Sequence, residues 1–263
     1  MSSRTSPWPP GVPCWAELTV PDPDEARAFY AALLGWDYGV NEVDSGGYTV
    51  GLVGDRAAGA IGPLPDGGQA AWTLYLASDN ADATAAAVSD NGGTVLVGPG
   101  DVGELGRMFI AADPTGAMFG VWQAGTTIGA GVVNESGALV WEDLRSTDPD
   151  AARSFYTAVF GYTTAPVEMA GPDYTTFALP HEDAPLGGIG GMFGQDGPSR
   201  WLLYFAVADI DAAVTAAQSN GGRVLTGDME SPFGRMAELA DPAGARFLVI
   251  QPPADQPRPD REG

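Results

Sequence analysis

Hydrophobic and polar positions along the chain follow two periodicities. In DPDEARAFYAALLGW, which begins at Asp22, apolar residues recur every three or four positions, and this spacing predicts a helix. Asp22 can cap the N-terminus of this helix, and Gly35 can end it. The preceding run CWAELTV predicts a strand, because its most apolar residues fall at every second position. The local unit is therefore a strand that leads into a helix.

The same pattern occurs a second time further along the chain. DPDAARSFYTAVFGY begins at Asp148 and follows the strand-like run LVWEDLR. Later segments match as well, because GRMFIAADPTGAMFGVWQ from Gly106 corresponds to GRMAELADPAGARFLVIQ from Gly234. Each copy also contains a second strand and helix, from Trp72 and from Trp201. We infer a duplicated module that is itself built from two similar halves.

Short alternating or apolar runs follow the helices, and glycine-rich turns separate them. DYGVNEV, GYTVGLV and AGAIGPL are examples, and they predict antiparallel strands. We predict an α+β fold of four βαβββ units, with curved mixed sheets and the helices outside. The modules span 12–123 and 138–253, joined by a linker at 124–137 and followed by a disordered tail at 254–263. The concave side of each sheet would suit a small molecule.

Composition narrows the classes of partner. The chain has 12 basic residues, all arginine, against 34 acidic ones, and its net charge of -22 would repel phosphate backbones and anionic membranes. We therefore expect no nucleic acid and no membrane as partner. Cys14 is the only cysteine, which excludes an internal disulfide and a cysteine zinc cluster. Without a signal-peptide core or a run of about 20 apolar residues, a soluble cytoplasmic protein is expected.

Two motifs resemble those of a known family. They are D-x-x-x-A-x-x-FY-x-x-x-x-G-(W/Y) after a strand, and DP-x-G before the last strand of each module. Together they resemble the vicinal oxygen chelate superfamily of glyoxalase, bleomycin-resistance and extradiol-dioxygenase proteins, over about residues 12 to 253. The tandem glyoxalase-like modules look most like the two-module "hydroxylase" branch. That resemblance implies a relation to accessory proteins of aromatic polyketide antibiotic pathways.

The resemblance also implies where a metal would be held. Metal enzymes of this superfamily use histidine and carboxylate side chains on the first and last strands of each half. The corresponding positions carry Trp15, Thr73, Gly120, Trp141, Leu202 and Leu248. None is a customary ligand, so we expect no metal and no other cofactor. His181, the only histidine, lies in LPHEDAP, whose proline and acidic neighbours indicate exposure.

Alternation along the first strand directs Trp15, Glu17 and Thr19 to one face, opposite an apolar face that should carry the helix. We predict that Glu17 is a candidate catalytic acid or base, and that the ligand-binding residues are Trp15, Tyr75, Gly120, Trp122, Trp141, Asp143 and Arg145. Aromatic walls with one carboxylate suit a flat, largely apolar ligand. Core filling is the alternative for the tryptophans, and a structural ion pair is the alternative for Asp143 and Arg145.

Three functions remain open at this point. The first is metal-independent binding of an aromatic or largely apolar small molecule by an accessory or resistance protein. The second is a metal-free enzyme that uses Glu17 as acid or base in an isomerisation, ring rearrangement or hydroxylation, since enclosure would raise the pKa of Glu17. The third is a divalent-metal lyase or dioxygenase with rearranged ligands. A pathway enzyme as partner and a homodimer are open alternatives.

The two modules differ at positions expected to line the concavity. Trp122 corresponds to Ile250, and Gly120 corresponds to Leu248. Larger aliphatic side chains in the second module would fill its concavity. We therefore expect one working site, in the first module.

Overall fold

The computed structural model describes residues 4–39, 46–168, 173–182, 184–231 and 233–253. The helices are α1 (Pro23–Leu34), α2 (Ala81–Asp90), α3 (Pro149–Phe160) and α4 (Ile210–Ser219). The strands of the first half are β1 (Pro13–Val20), β2 (Asp37–Tyr38), β3 (Thr49–Val53), β4 (Arg56–Pro63), β5 (Ala71–Ala77), β6 (Thr94–Val102), β7 (Gly106–Ala112) and β8 (Met118–Ala124). Those of the second half are β9 (Leu139–Arg145), β10 (Thr163–Pro166), β11 (Thr175–Ala178), β12 (Gly187–Gly190), β13 (Arg200–Ala206), β14 (Arg223–Ser231), β15 (Gly234–Ala240) and β16 (Arg246–Gln251).

The strands form two sheets with the same topology. The first sheet has the order β2-β3-β4-β1-β5-β8-β7-β6, and the second has the order β10-β11-β12-β9-β13-β16-β15-β14. Each sheet is mixed, because β1 runs parallel to β4 and β9 runs parallel to β12 while the other neighbours of β1 and β9 are antiparallel. The element order repeats βαβββ four times. The predicted α+β class of four units in two modules is confirmed.

Local sequence sets the helix ends as expected. The side chain of Asp22 accepts hydrogen bonds from the backbone N–H groups of Asp24 and Glu25, both at 3.0 Å. Such a cap contributes about 1 kcal/mol to helix stability. Gly35 ends α1 with a φ of 69°, a left-handed conformation that glycine adopts without strain. Asp148 and Gly161 do the same for α3.

The two modules pack on each other through their helices and through the strands β5, β8, β13 and β16. Helix α1 packs on α4, and α2 packs on α3. Phe29 and Tyr30 of α1 are buried and reach Phe247 of β16, with ring centroids 6.3 Å and 5.5 Å apart. The Phe-Tyr pair of α1 therefore belongs to a core that both modules share. We call the face of each sheet opposite its helices the helix-free face, and the two helix-free faces point away from each other.

Polar contacts cross between the modules inside this core. The Trp72 Nε1 donates to the Tyr30 hydroxyl at 3.0 Å, and that hydroxyl donates to the Asp241 carboxylate of the other module at 3.2 Å. Trp201 likewise donates to the Tyr156 hydroxyl at 3.0 Å. Tyr156 lies close enough to Asp113 to oppose the rise that burial causes in the pKa of Asp113. The aspartate of each DP-x-G motif, Asp113 or Asp241, thus interacts with a buried tyrosine of the opposite module.

The segment 124–137, predicted as a linker, is packed against both sheets. The Ala130 N–H donates to the Cys14 carbonyl of β1 at 2.7 Å, and the Gly137 N–H donates to the Ala206 carbonyl of β13 at 2.7 Å. The indole of Trp36 donates to the Gly137 carbonyl, also at 2.7 Å. The segment therefore joins the modules through backbone hydrogen bonds.

Two sequence predictions concern residues that lie partly or wholly outside the described ranges. The tail at 254–263 lies outside the described residues, as does the end of the predicted strand DYGVNEV beyond Gly39. In the part of the chain that the structure describes, none of the helices has the length and apolar character needed to cross a membrane.

Candidate functional site

The predicted faces of β1 are those found in the structure. Leu18 and Val20 are fully buried in the shared core, and Trp15, Glu17 and Thr19 lie on the helix-free face. Trp15 is only 9% exposed there and also packs in the main buried cluster, so it fills the core as well. Glu17 stands opposite Thr73 on β5 and opposite Ala60 on β4. Trp15 stands opposite Tyr75, which in turn lies beside Gly120 on β8. The structure thus brings Trp15, Glu17, Tyr75 and Gly120 together.

Glu17 is held by two tyrosine hydroxyls. Burial raises the pKa of Glu17, and hydrogen bonds from Tyr48 and Tyr75 to its carboxylate oppose that rise. Trp15 Nε1 donates to the Tyr48 hydroxyl at 3.3 Å. Burial and the neighbouring Glu17 also raise the pKa values of both tyrosines. The result is a Trp-Tyr-Tyr-carboxylate cluster in which both tyrosines donate to the Glu17 carboxylate and Trp15 donates to Tyr48.

Tyr48 was missed by the sequence reasoning. It immediately precedes β3 and lies over Gly62 of β4, where an added Cβ would be 3.0 Å from its ring. Its counterpart is Tyr174, which precedes β11 in the same way. The signal in the sequence was the repetition of Tyr-Thr in GYTV and DYTT. The repeated tyrosine identifies a position that both modules use.

Gly120 has a different role from the one expected. We predicted Gly120 as a ligand-binding residue, but a Cβ at Gly120 would lie 2.3 Å from the ring of Tyr75. The ring of Tyr75 already occupies that space. Gly120 therefore fixes the position of Tyr75, which in turn contacts Glu17.

Trp122 is on the predicted face but does not join the Glu17 cluster. A Cβ at Gly106 of β7 would lie 2.5 Å from the Trp122 ring, so the indole leans over β7, away from β5. Its Nε1 donates to the Thr127 carbonyl at 2.9 Å. Trp122 and Trp8 line a small cleft of about 140 Å³. The expected grouping of Trp15, Tyr75 and Trp122 around one carboxylate is corrected in this respect.

The second module repeats the cluster with an aspartate. Asp143 is buried and accepts four hydrogen bonds from its neighbours. The donors are the Tyr174 hydroxyl at 2.7 Å, the Tyr204 hydroxyl at 2.7 Å, Trp141 Nε1 at 2.9 Å and Arg145 Nη2 at 2.9 Å. Asp143 and Arg145 thus form a buried ion pair. Trp141, Tyr174, Tyr204 and Asp143 correspond to Trp15, Tyr48, Tyr75 and Glu17.

Apolar side chains fill part of the helix-free face of the second module. The buried cluster there consists of Leu202, Tyr204, Leu248 and Ile250. Trp141, Met229 and Met236 pack against it. Leu248 therefore stands where Gly120 stands in the first module, and Ile250 stands where Trp122 stands.

The side chains around Glu17 do not form a set of ligands that fits a divalent metal ion. In the ranges that the structure describes, no three His, Cys, Asp or Glu side chains come together in a group that could hold a metal. Around Glu17, the superfamily positions carry Trp15, Thr73 and Gly120, and the carboxylate of Glu17 is already bonded by tyrosines. His181 is exposed in a turn. We derive no chemical step through a metal.

Comparison with known proteins agrees with this fold. The model of the Glyoxalase/Bleomycin resistance protein/Dioxygenase superfamily matches residues 14–121 and 138–249. The chain belongs to this superfamily.

Relatives align over nearly the whole chain. "Putative glyoxylase CFP32" of Mycobacterium bovis is 40% identical over 254 residues, which cover 94% of this chain and 97% of the relative. The anthracycline biosynthesis protein DnrV of Streptomyces peucetius is 36% identical over 260 residues, which cover 92% of this chain and 94% of DnrV. Relatives therefore include a protein named for antibiotic biosynthesis.

Solved structures share the fold at low sequence identity. The Mn(II)-bound glyoxalase from Novosphingobium aromaticivorans superposes with a TM-score of 0.64 at 16% identity, covering 94% of this chain and 86% of that one. The 2,3-dioxygenase LapB from Pseudomonas sp. KL28 gives a TM-score of 0.63 at 17% identity, covering 94% and 96%. These likenesses extend to the fold alone.

Proposed function

We propose that this protein binds an aromatic or largely apolar small molecule without a metal ion, as an accessory or resistance protein. The site is the Trp15, Tyr48, Tyr75 and Glu17 cluster on the helix-free face of the first module. The observation that carries the proposal is that the metal-ligand positions around Glu17 hold aromatic and small residues in place of histidine and carboxylate. A ligand would contact rings and one polar group there.

The chemistry of the cluster favours a flat ligand with a polar edge. Tryptophan and tyrosine rings offer large apolar surfaces and stack or meet edge-on with other rings. The Glu17 carboxylate has about four lone-pair positions, of which the two tyrosine hydroxyls use two. A ligand hydroxyl could use a remaining position and thereby be oriented. The similarity to DnrV makes anthracyclines the first compounds to test.

Calorimetric titration tests the proposal directly. Anthracycline aglycones and bleomycin are titrated into the full chain, and an aglycone is expected to bind with a Kd well below ~1 mM. Trp15→Phe removes the hydrogen bond to Tyr48 and should weaken that binding about fivefold, which corresponds to about 1 kcal/mol. Trp141→Phe is the same substitution at the corresponding position of the second module and should leave this binding unaltered. No binding tighter than ~1 mM by any compound would end the proposal.

The metal-independent part has its own test. Native mass spectrometry with elemental analysis is applied to protein purified without added metal or tag. We expect no stoichiometric transition metal, and a retained organic molecule would reveal the ligand by its mass. A stoichiometric transition metal would overturn the site described above and restore the lyase or dioxygenase hypothesis.

A metal-free enzyme is the second candidate function. It is favoured by the raised pKa of Glu17, since a carboxyl group with a pKa nearer neutrality transfers protons more effectively at pH 7. An isomerisation or ring rearrangement needs only such proton transfer. Glu17→Gln should then abolish turnover of an aromatic substrate, measured by chromatography, while calorimetry still detects binding. Turnover that survives Glu17→Gln would exclude this mechanism.

A further inference from the structure

Arginines are concentrated on the helix-free face of the second module. The chain has only 12 basic residues and a net charge of -22, yet three arginines share this face. Arg145 on β9 stands directly opposite Arg200 on β13. Arg246 on β16 is close enough to lower the pKa of Arg200, an effect that adds to the larger one of burial. Like charges opposite each other on neighbouring strands are unfavourable unless something compensates them.

In the described part of the chain, carboxylates form ion pairs with two of these arginines. Arg145 pairs with Asp143 at 2.9 Å, and Arg246 pairs with Glu238 at 2.9 Å. The remaining arginine, Arg200, donates to the Pro198 carbonyl at 3.2 Å and to the Gln195 side chain. Its Nε is buried and has no hydrogen-bond partner in the structure as described. The Glu238 carboxylate acts on the charge of Arg200 without a hydrogen bond to it in the described structure. Because this charge is only partly compensated, an anion bound beside the guanidinium would be stabilised.

The first module serves as an internal comparison. Both modules keep the Trp-Tyr-Tyr-carboxylate cluster, so the cluster itself does not require the arginines. The positions that correspond to Arg145, Arg200 and Arg246 are Thr19, Ala71 and Met118. The three arginines are therefore specific to the second module. A purely structural role would have to explain why one copy folds without them.

Aromatic rings border the arginines and are partly exposed. Phe193 is 50% exposed, and the guanidinium of Arg145 lies 4.6 Å from its ring centroid. Phe233 is 53% exposed and stacks on Trp141, with centroids 6.3 Å apart and ring planes 16° apart. Large exposed rings next to a charged group are typical of a binding surface. An anion bound here would carry an apolar ring that covers Phe193 or Phe233.

We propose that the helix-free face of the second module binds an aromatic carboxylate, with Arg200, which forms no ion pair with a carboxylate among the described residues, as the charged contact. The ring of this ligand lies against Phe193 and Phe233. This site is distinct from the Glu17 cluster, because the two helix-free faces point away from each other. The protein therefore presents one site for an uncharged aromatic group and another for an anionic one.

A matched pair of ligands tests the charge requirement. Anthraquinone-2-carboxylate and anthraquinone-2-carboxamide are titrated into the full chain by calorimetry. The carboxylate should bind at least about tenfold more tightly, because a charge-assisted hydrogen bond to a guanidinium is stronger than a neutral one. Its affinity should fall as NaCl rises, since salt screens the attraction. Equal affinities for the two compounds in the unmodified protein would overturn the proposal.

Substitutions of arginine test whether Arg200 causes the preference for the carboxylate over the carboxamide. Arg200→Gln should remove most of the tenfold preference. Arg107→Gln on β7 of the first module makes the same change in net charge and should leave the preference intact. Arg246→Gln, which changes a neighbouring arginine on the same face, provides a second variant if Arg200→Gln does not fold, and it should reduce the preference as well. A folded Arg200→Gln protein that keeps the full preference contradicts the assignment.

Two further measurements distinguish this site from a general anion site and from the Glu17 cluster. Inorganic phosphate alone should bind much more weakly than the aromatic carboxylate, and equal binding would overturn the aromatic part of the proposal. Trp15→Phe should not change carboxylate binding, and a matching loss there would place the carboxylate in the first module instead. If the neutral aglycones fail to bind while the carboxylate preference persists, the function proposed for the first module fails and this inference stands.

Discussion

At the residue scale, the main feature is a carboxyl group that receives hydrogen bonds from phenols. Glu17 is partly buried among Tyr48, Tyr75 and Trp15, and burial raises its pKa. Alternation along β1 was sufficient to predict its face, because strand side chains alternate strictly. Its two phenolic partners lie on other strands, and a single strand's pattern contains no information about them.

Replacement of Glu17 by glutamine should change how stability depends on pH. A raised pKa in the folded state means that the folded protein binds the proton more tightly than the unfolded chain. The resulting stability is fully present below the unfolded value of about 4.3 and is lost as pH rises through the folded value. We expect the Tm of the unmodified protein to rise as the pH is lowered from 7 to 5. In Glu17→Gln, the Tm should rise less over the same range.

Thermal unfolding followed by circular dichroism at both pH values measures this difference. Glu25→Gln, at an exposed position of α1, is the control and should follow the unmodified protein. Asp113 and Asp241 also have pKa values raised by burial, so part of the rise should remain in Glu17→Gln. An unchanged pH dependence in Glu17→Gln would show that its carboxyl group is solvated.

At the element scale, sequence patterns predicted the helices better than the directions of side chains. Asp22 and Gly35 end α1 through local backbone chemistry, which a short stretch of sequence determines. Trp122 was assigned to the correct face, but its ring leans over Gly106 on β7. Which neighbouring strand a side chain covers depends on where space is left by residues far away in the chain. Glycines such as Gly106 and Gly120 provide that space.

Alanine at Gly120 should displace the ring of Tyr75. The new methyl group would overlap that ring, and overpacking of this kind costs about 1–3 kcal/mol. Because Tyr75 contacts Glu17, aromatic ligand binding should weaken as well. Gly98→Ala on β6 is the control, since nothing lies within 4 Å of the added Cβ and its stability should change little. Urea denaturation of both variants compares the losses, and equal midpoints would contradict the packing described.

At the scale of the whole molecule, two similar modules share one core. The duplication was evident from the sequence, and so was the repeated βαβββ unit. The way in which the modules pack on each other was not evident from the sequence. The helices of each copy have the same apolar stripe whether the module packs on the other module, on a partner chain or on neither. The aromatic contacts of Phe29 and Tyr30 with Phe247 decide the matter.

Removal of the Tyr30 hydroxyl should destabilise both modules together. In Tyr30→Phe, the Trp72 indole and the Asp241 carboxylate each lose a buried partner, which costs about 1–3 kcal/mol. Unfolding should remain a single transition in which fluorescence and circular dichroism coincide. Tyr38→Phe is the control, because its buried hydroxyl has no hydrogen-bond partner in the described structure and its loss should cost little. Two separate transitions in Tyr30→Phe would indicate that the modules unfold independently.

Asp113 and Asp241 each lie beside a buried tyrosine of the other module, and this arrangement constrains how the two halves of the gene can evolve. Each half supplies a carboxylate to a buried tyrosine of the other half. Neither half alone therefore contains all the polar partners of its buried core. Two separately expressed fragments, divided within 124–137, would therefore behave as obligate complements, each accumulating only when the other is made. Mutations in one copy are in turn constrained by the other, which leaves the outward-facing surfaces as the places where the two copies were free to diverge in sequence.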